Sequence, residues 1–262
     1  MNPGSEDCAV LVLSSDKYAD LWPVFFDQFG RRWPGCPFPV YLGSNTLSLT
    51  GYPWVKTILS GPDRDWSTSL RAILRQISER YVMMTHEDFV VAEDVDTPQL
   101  LECLAFMRGE GGRLMQLWSG LVPDHIVHGR YGVIARGAPY RVNTVGIWEK
   151  ATLERLLVDG ESPWQFEIMG SYRSSFLDGF LRHQRPPIVY VNLVEKGSYI
   201  PASVRLLEQR GVSLPLRERP MLSGRWRLRS WLQRLWFSGM SRVPWRWRVK
   251  TMNTLRKLLI SY

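Results

Sequence analysis

A chain of 262 residues with 45% hydrophobic and 22% charged residues has the make-up of an ordinary globular protein, which excludes a disordered, collagenous or coiled-coil chain. Three cysteines (Cys8, Cys36, Cys103) are too few and too scattered for a disulfide framework or a thiolate metal site, and they fit a reducing compartment. The net charge of +8 is unevenly placed: Met221 to Tyr262 holds ten Lys or Arg and no acid, whereas the rest holds 23 basic and 25 acidic residues.

Glu6 and Asp7 stand where a signal peptide needs positive charge, and no uncharged apolar run approaches the roughly 20 residues of a membrane span. The expectation is a cytoplasmic protein, neither exported by that route nor integral. The run CAVLVL (8–13) ends at Ser14-Ser15-Asp16 and reads as a strand buried on both faces. Leu21, Trp22, Phe25, Phe26 and Phe29 then form a helical stripe, with Pro23 tolerable only in its first turn. Strands are expected around Val40-Tyr41-Leu42 and from Val55 to Leu59, a helix over 67–81, and a buried strand over Tyr81 to Thr85. Beyond residue 97 the pattern predicts a helix at 98–108, a strand at 113–118, loop over 119–147, helices at 150–158 and 172–184, and a strand at 188–193. Strands alternating with helices of these lengths indicate a doubly wound α/β sheet.

Ligands of such sheets bind beyond the carboxyl ends of the strands. Two polar clusters fall there, Ser14-Ser15-Asp16-Lys17 and His86-Glu87-Asp88. A carboxylate pair at a strand end suits a hard divalent cation, although caps and solvated turns account for the same residues. No Gly-x-Gly-x-x-Gly follows the first strand and no Walker-type loop is present, which removes support for dinucleotide and P-loop readings. Glu167, between Phe166 and a Gly170-Ser171 step, suits a desolvated general base; its alternative is a surface acid beside core aromatics. Trp66 suits stacking on a base or sugar, while Asp65 or Ser67 equally serves to cap the next helix. His125 and His128, preceded by Asp124, read with His86 and Asp88 as a hydrolase metal site only if a fold gathers them. His183 reads as a surface residue on a helix.

The stretches SSDKYADLWPVFFDQFGRRWPGCPFPVYLGSN, DWSTSLRAILRQISERYVMMTHEDF, GAPYRVNTVGIW and ESPWQFEIMGSYRS resemble a family of bacterial glycosyltransferase-like proteins associated with capsule, lipopolysaccharide or other surface-glycan assembly. The resemblance covers roughly residues 8–176. It implies a GT-A-type, Rossmann-like mixed sheet flanked by helices. It also implies that Ser14, Ser15, Asp16 and Lys17 contact the nucleotide, with Asp65, Trp66 and Ser67 near the nucleotide or donor sugar. The His86-Glu87-Asp88 block stands at the family's Asp-x-Asp metal motif, with His86 in the first position. Asp88 would be the surviving ligand of a Mn²⁺ or Mg²⁺ ion, helped by Glu87 or His86. Glu167 corresponds to the base of inverting members, Arg141 and Arg173 would neutralise phosphate, and Trp164 and Phe166 would meet the acceptor.

In the basic segment, Leu228, Trp231, Leu232, Leu235 and Trp236 share one helical face, as do Trp245, Val249, Met252, Leu255 and Leu259 after Pro244. Basic amphipathic helices rich in Trp suit an anionic membrane surface, at roughly 1 kcal/mol per cation near it. Packing on the body and a nucleic-acid-binding arm are the alternatives. The expected organisation is a glycosyltransferase domain over 1–220 and a membrane-associating tail over 221–262, peripheral on the inner face of a bacterial membrane. Its partners would be a nucleotide-sugar donor and a lipid-linked glycan acceptor, with no nucleic acid. The rival readings are a non-catalytic nucleotide- or glycan-binding scaffold and, from another class, a nucleic-acid-associated protein using the tail.

Overall fold

The computed structural model describes residues 7–117, 125–127, 129–138 and 140–222, and beyond these only Leu235, Gly239, Val243, Pro244 and Trp247. The two expected tail helices, and the proposed grouping of Asp124 and His128, lie outside the described residues. No helix among the described residues is long and apolar enough to cross a membrane.

In chain order the first half runs β1 (Cys8–Leu13), a 3₁₀ turn (Asp16–Leu21), α1 (Trp22–Arg32), β2 (Val40–Ser44), β3 (Val55–Leu59), α2 (Trp66–Leu74), β4 (Tyr81–His86), β5 (Phe89–Val91) and α3 (Thr97–Gly109). The second half runs β6 (Leu114–Gln116), β7 (His125–Val127), β8 (Tyr131–Val133), β9 (Gly146–Glu149) and α4 (Lys150–Leu156). It continues as α5 (Pro163–Gln165), a π turn (Phe166–Gly170), α6 (Ser171–Ser174), β10 (Phe180–His183), β11 (Tyr190–Asn192), β12 (Val194–Glu195), β13 (Ser198–Tyr199) and α7 (Pro201–Gln209).

Among the described residues the main sheet has the order β3-β2-β1-β4-β9-β6-β10-β8-β7. β1 pairs in parallel with β2 and β4, and β2 with β3. β9 runs antiparallel to β4 and to β6, which is parallel to β10. The protein is therefore α/β, with a mixed sheet flanked by helices. Strand alternation sorts β1 into two faces: Cys8, Val10 and Val12 meet Phe25, Phe26 and Phe29 of α1 and Leu100, Cys103 and Leu104 of α3. Ala9, Leu11 and Leu13 meet Leu70, Ile73 and Leu74 of α2 and Leu153 and Leu156 of α4.

Several expectations change. The helix expected over 67–81 ends at Leu74, where the amides of Gln76 and Ile77 turn back to Ile73 and Leu74. The helix expected over 172–184 stops at Ser174, and Phe180–His183 is instead a strand, so His183 is 2% exposed rather than on a helix surface. The break is at Gly179, φ 81°, where a Cβ would lie 2.5 Å from the Gly111 carbonyl. Residues 188–193 contain β11, which pairs with β5 outside the main sheet. The loop expected over 119–147 holds β7, β8 and the start of β9.

Candidate active site

A cavity of about 750 Å³ opens at the carboxyl ends of β1, β4, β6 and β10. Ser14 and Ser15 follow β1, His86 ends β4, and Glu87 and Asp88 follow it; the register places Leu13 opposite His86. Gln116 ends β6, Arg182 comes from β10, and Asn143–Val145 lead into β9. Gly146 permits that approach, because a Cβ there would lie 2.5 Å from the Met115 carbonyl oxygen. Trp164 and Glu167 form a helical wall, and Asn192, Val194, Glu195 and Lys196 close the side beside Asp88. The Leu193 amide donates to the Asp88 carbonyl at 2.7 Å and joins that last wall to the β4 end.

Glu167 sits on the π turn, a one-residue insertion of a kind common at functional sites. The preceding turn is fixed by reciprocal Ser162–Gln165 capping, which accounts for the Ser-Pro-Trp-Gln sequence. Glu167 Oε1 accepts from the Thr144 amide at 3.3 Å, and burial pushes its carboxyl up to about 7 against that bond. Burial likewise pushes Asp88 up to about 7, with Glu195 adding to the rise. Glu87, 5% exposed, is raised well above its ordinary value by burial and by Asp88 beside it. His86 is pulled down to about 4 by burial and keeps a neutral ring, its Nδ1 3.2 Å from the Leu13 carbonyl oxygen.

Four buried polar atoms of cavity-lining residues have no protein partner: Trp66 Nε1, Glu87 Oε2, Asn143 Oδ1 and Asn192 Oδ1. Buried polar groups are rarely left so, and their convergence on one cavity marks a place for a polar ligand. Three of the four accept, as do the carboxylates around them, while Trp66, Trp164, Tyr18 and Tyr140 supply aromatic surface. Acceptors that receive hydroxyl protons, together with rings that pack against C–H faces, suit a polyhydroxylated ligand.

Of the residues singled out in the sequence, Ser14, Ser15, Trp66, His86, Glu87, Asp88, Trp164 and Glu167 line this cavity. The others are engaged elsewhere. The Asp16 carboxylate accepts from the amides of Asn45, Thr46 and Leu47 and holds the loop after β2. Exposed Lys17 pairs with Asp63 at 2.8 Å. Asp65 caps α2 through the Thr68 amide, and Ser67, fully buried, bonds Asp65 and the Glu161 amide. Burial would raise the Asp65 carboxyl, but these bonds outweigh it and hold it at about 2.

Arg141 and Arg173 do not reach the cavity, which corrects the expectation that they meet phosphate. Arg141 is 1% exposed and donates to the carbonyls of Ile134, Ser174 and Leu177, so its guanidinium ties loop to helix. Arg173 makes a two-point pair with Glu161, both contacts 2.7 Å. Phe166 is fully buried against Trp66 and Trp148 and cannot meet an acceptor. The cavity instead holds Arg182, 5% exposed and pulled down to about 10 by burial, and Lys196. Neither stood out in the sequence, since one falls in a stretch read as helix and the other in a stretch with no motif.

Glu87 and Asp88 fit a hard cation that completes its shell with substrate oxygens: the carboxyls adjoin and one Glu87 oxygen lacks a partner. Among the described residues no group of three His, Cys, Asp or Glu side chains forms a self-sufficient metal site.

No family model matches the chain, and no curated protein matches it. Among solved structures, the mannosyltransferase PcManGT from Pyrobaculum calidifontis, in complex with GDP-Man and Mn²⁺, is 12% identical with a TM-score of 0.47, over 98% of this chain and 76% of that one. S. aureus TarS 1–349 with UDP-GlcNAc is 11% identical with a TM-score of 0.44, over 63% of this chain and 53% of that one. The bifunctional IspDF from Campylobacter jejuni is 12% identical with a TM-score of 0.38. The chain spans a third of the longer TarS chain and about half of the shorter one. The chemistry rests on the cavity itself.

Proposed function

We propose that this protein is a nucleotide-sugar-dependent glycosyltransferase of GT-A type that adds a sugar to a glycan hydroxyl with inversion. The observation that carries the reading is the cavity at the strand ends, where partnerless polar atoms and aromatic faces surround a desolvated carboxyl, Glu167. The nucleotide lies toward Ser14 and Ser15, and its diphosphate toward Asp88. Glu167 takes the proton of the acceptor hydroxyl as that oxygen bonds to the anomeric carbon; the sugar–phosphate bond breaks and the nucleoside diphosphate leaves with the electron pair. A base with a pKa near working pH is well matched to this transfer. A divalent cation held by Glu87 and Asp88, when bound, would offset charge on the leaving diphosphate.

Trp164, 54% exposed at the mouth, offers a face to the acceptor. The acceptor in this reading is a lipid-linked surface glycan, and the basic segment from Met221 onward holds the protein on an anionic membrane. Flotation with anionic vesicles checks the latter: the full chain should float, and a chain ending at Leu222 should not. Equal flotation of both would remove the membrane from the proposal.

Calorimetric titration with UDP, GDP, CDP and CMP, with and without Mn²⁺ or Mg²⁺, tests the central claim. One nucleotide should bind preferentially and lose affinity in Asp88→Ala; no binding by any of them sinks it. A second reading, a nucleotide- or glycan-binding scaffold, is favoured by His86 at the first position of the acidic motif. Donor binding without turnover on any acceptor would select it.

A further inference from the structure

Two described residues other than glycine have a left-handed backbone, Tyr140 (φ 52°) and Lys196 (φ 50°), and both line the cavity. Left-handed backbone costs a side-chain-bearing residue about 1–2 kcal/mol and gathers at functional sites. Lys196 is the more informative. β12 and β13 pair Glu195 with Ser198, leaving Lys196-Gly197 as a two-residue turn with both φ angles positive. Asn-Gly is the favoured sequence for such a turn; a lysine in its first position is not explained by turn chemistry.

The turn has a rigid base. Tyr199, fully buried, donates its amide to the Pro220 carbonyl at 2.8 Å, and the Ile200 amide donates to Leu193 at 2.9 Å. The Leu193 bond to Asp88 sets the base of this hairpin at the β4 end, and Lys196 at its tip lines the same cavity, whereas Arg182 comes from β10, three strands away from β4.

We propose that Lys196 is the cation that meets the diphosphate of a nucleotide bound in this cavity, and that the strained turn is retained to present it there. The assignment rests on the nucleotide-sugar reading above and gives to Lys196 the role expected of Arg141 and Arg173, whose guanidiniums are engaged outside the cavity lining. An ammonium on a flexible stem suits a group that must be held and then released.

The test compares Lys196→Asn, which suits the turn but carries no charge, with Lys196→Gly and Lys196→Arg, in the full chain. Titrations use UDP, UMP, GDP, GMP and inorganic pyrophosphate, alongside thermal melting. Lys196→Asn should lose affinity for the preferred diphosphate on the order of tenfold, with a smaller loss for the monophosphate, and Lys196→Arg should retain most of it. The melting temperature of the Asn and Gly variants should hold or rise by about 2 °C as the strain is relieved. Unchanged diphosphate affinity in Lys196→Asn overturns the proposal, as does a fall in melting temperature in both the Asn and Gly variants. If no nucleotide binds the wild type, the glycosyltransferase reading fails by itself. Pyrophosphate binding that disappears in Lys196→Asn would then still support the anion site, and its absence from the wild type would overturn it.

Discussion

The strands β3, β2, β1 and β4 and the strands β9, β6, β10, β8 and β7 share one sheet but build the cavity in different ways. The first group is all parallel, its strands are five or six residues long, and its polar cavity residues stand at or just after the strand ends. The second is largely antiparallel, with strands of three or four residues, and it sends Gln116 and Arg182 into the cavity from the strands themselves. A long buried strand announces its end by a switch from apolar to polar residues. In a three-residue strand, a polar residue facing a ligand and one facing a carbonyl look alike. Arg182 on β10 and Arg141 in the loop that leads to β9 show the consequence: both are buried cations, yet one lines the site and the other staples loops.

The largest effect expected is on catalysis, at Glu167 on the π turn. Glu167→Gln should reduce transfer at least 100-fold while nucleotide affinity stays within about twofold, read by product formation beside calorimetry. Full activity would move the base elsewhere. The staple comes next. Arg141→Ala should cost about 3 kcal/mol in urea unfolding, because the Ile134, Ser174 and Leu177 carbonyls lose their donor while the cavity residues are untouched. A near-neutral outcome would mean that Arg141 is not what fixes the second group.

A smaller effect separates burial from function at one residue. A carboxyl raised to about 7 binds its proton more tightly in the folded chain, so its contribution is favourable at low pH and is lost between about 4.5 and 7. Glu167→Gln should therefore be more stable than the wild type at pH 8, by about 1–3 kcal/mol, and no more stable at pH 4. An equal stability difference at both pH values would mean that the carboxyl is well solvated. The smallest effect concerns the first group: Asp65→Ala should cost about 1 kcal/mol by removing the cap of α2, with little change in nucleotide affinity. A large loss of affinity would return Asp65 to the site.

Most of residues 8–86 was legible, apart from the early end of α2 at Leu74, because the hydrophobic runs match the period and length of the elements they form, as with CAVLVL for β1 and YVMMT for β4. Residues 172–184 were not. Tyr172, Phe176 and Phe180 recur at a helical spacing, yet FLRH is recruited to the sheet by distant partners, Leu114–Gln116 and Tyr131–Val133. The site divides in the same way. Ser14, Ser15, His86, Glu87, Asp88, Trp66, Trp164 and Glu167 were legible from strand ends and unusual local sequence, while Arg182, Glu195 and Lys196 were not.

The amino-acid order by itself determined the α/β class, the two-faced burial of β1, the basic character of the last forty residues and the acidic cluster after β4. Those properties depend on local periodicity and on charge, which neighbours in the chain carry. Only the tertiary structure decided which guanidinium faces the cavity, that Asp16 and Asp65 spend their oxygens on backbone amides, and that Lys196 shares a cavity with Asp88. These outcomes depend on which distant segments meet, and a side chain's partner is set by that meeting rather than by its own type.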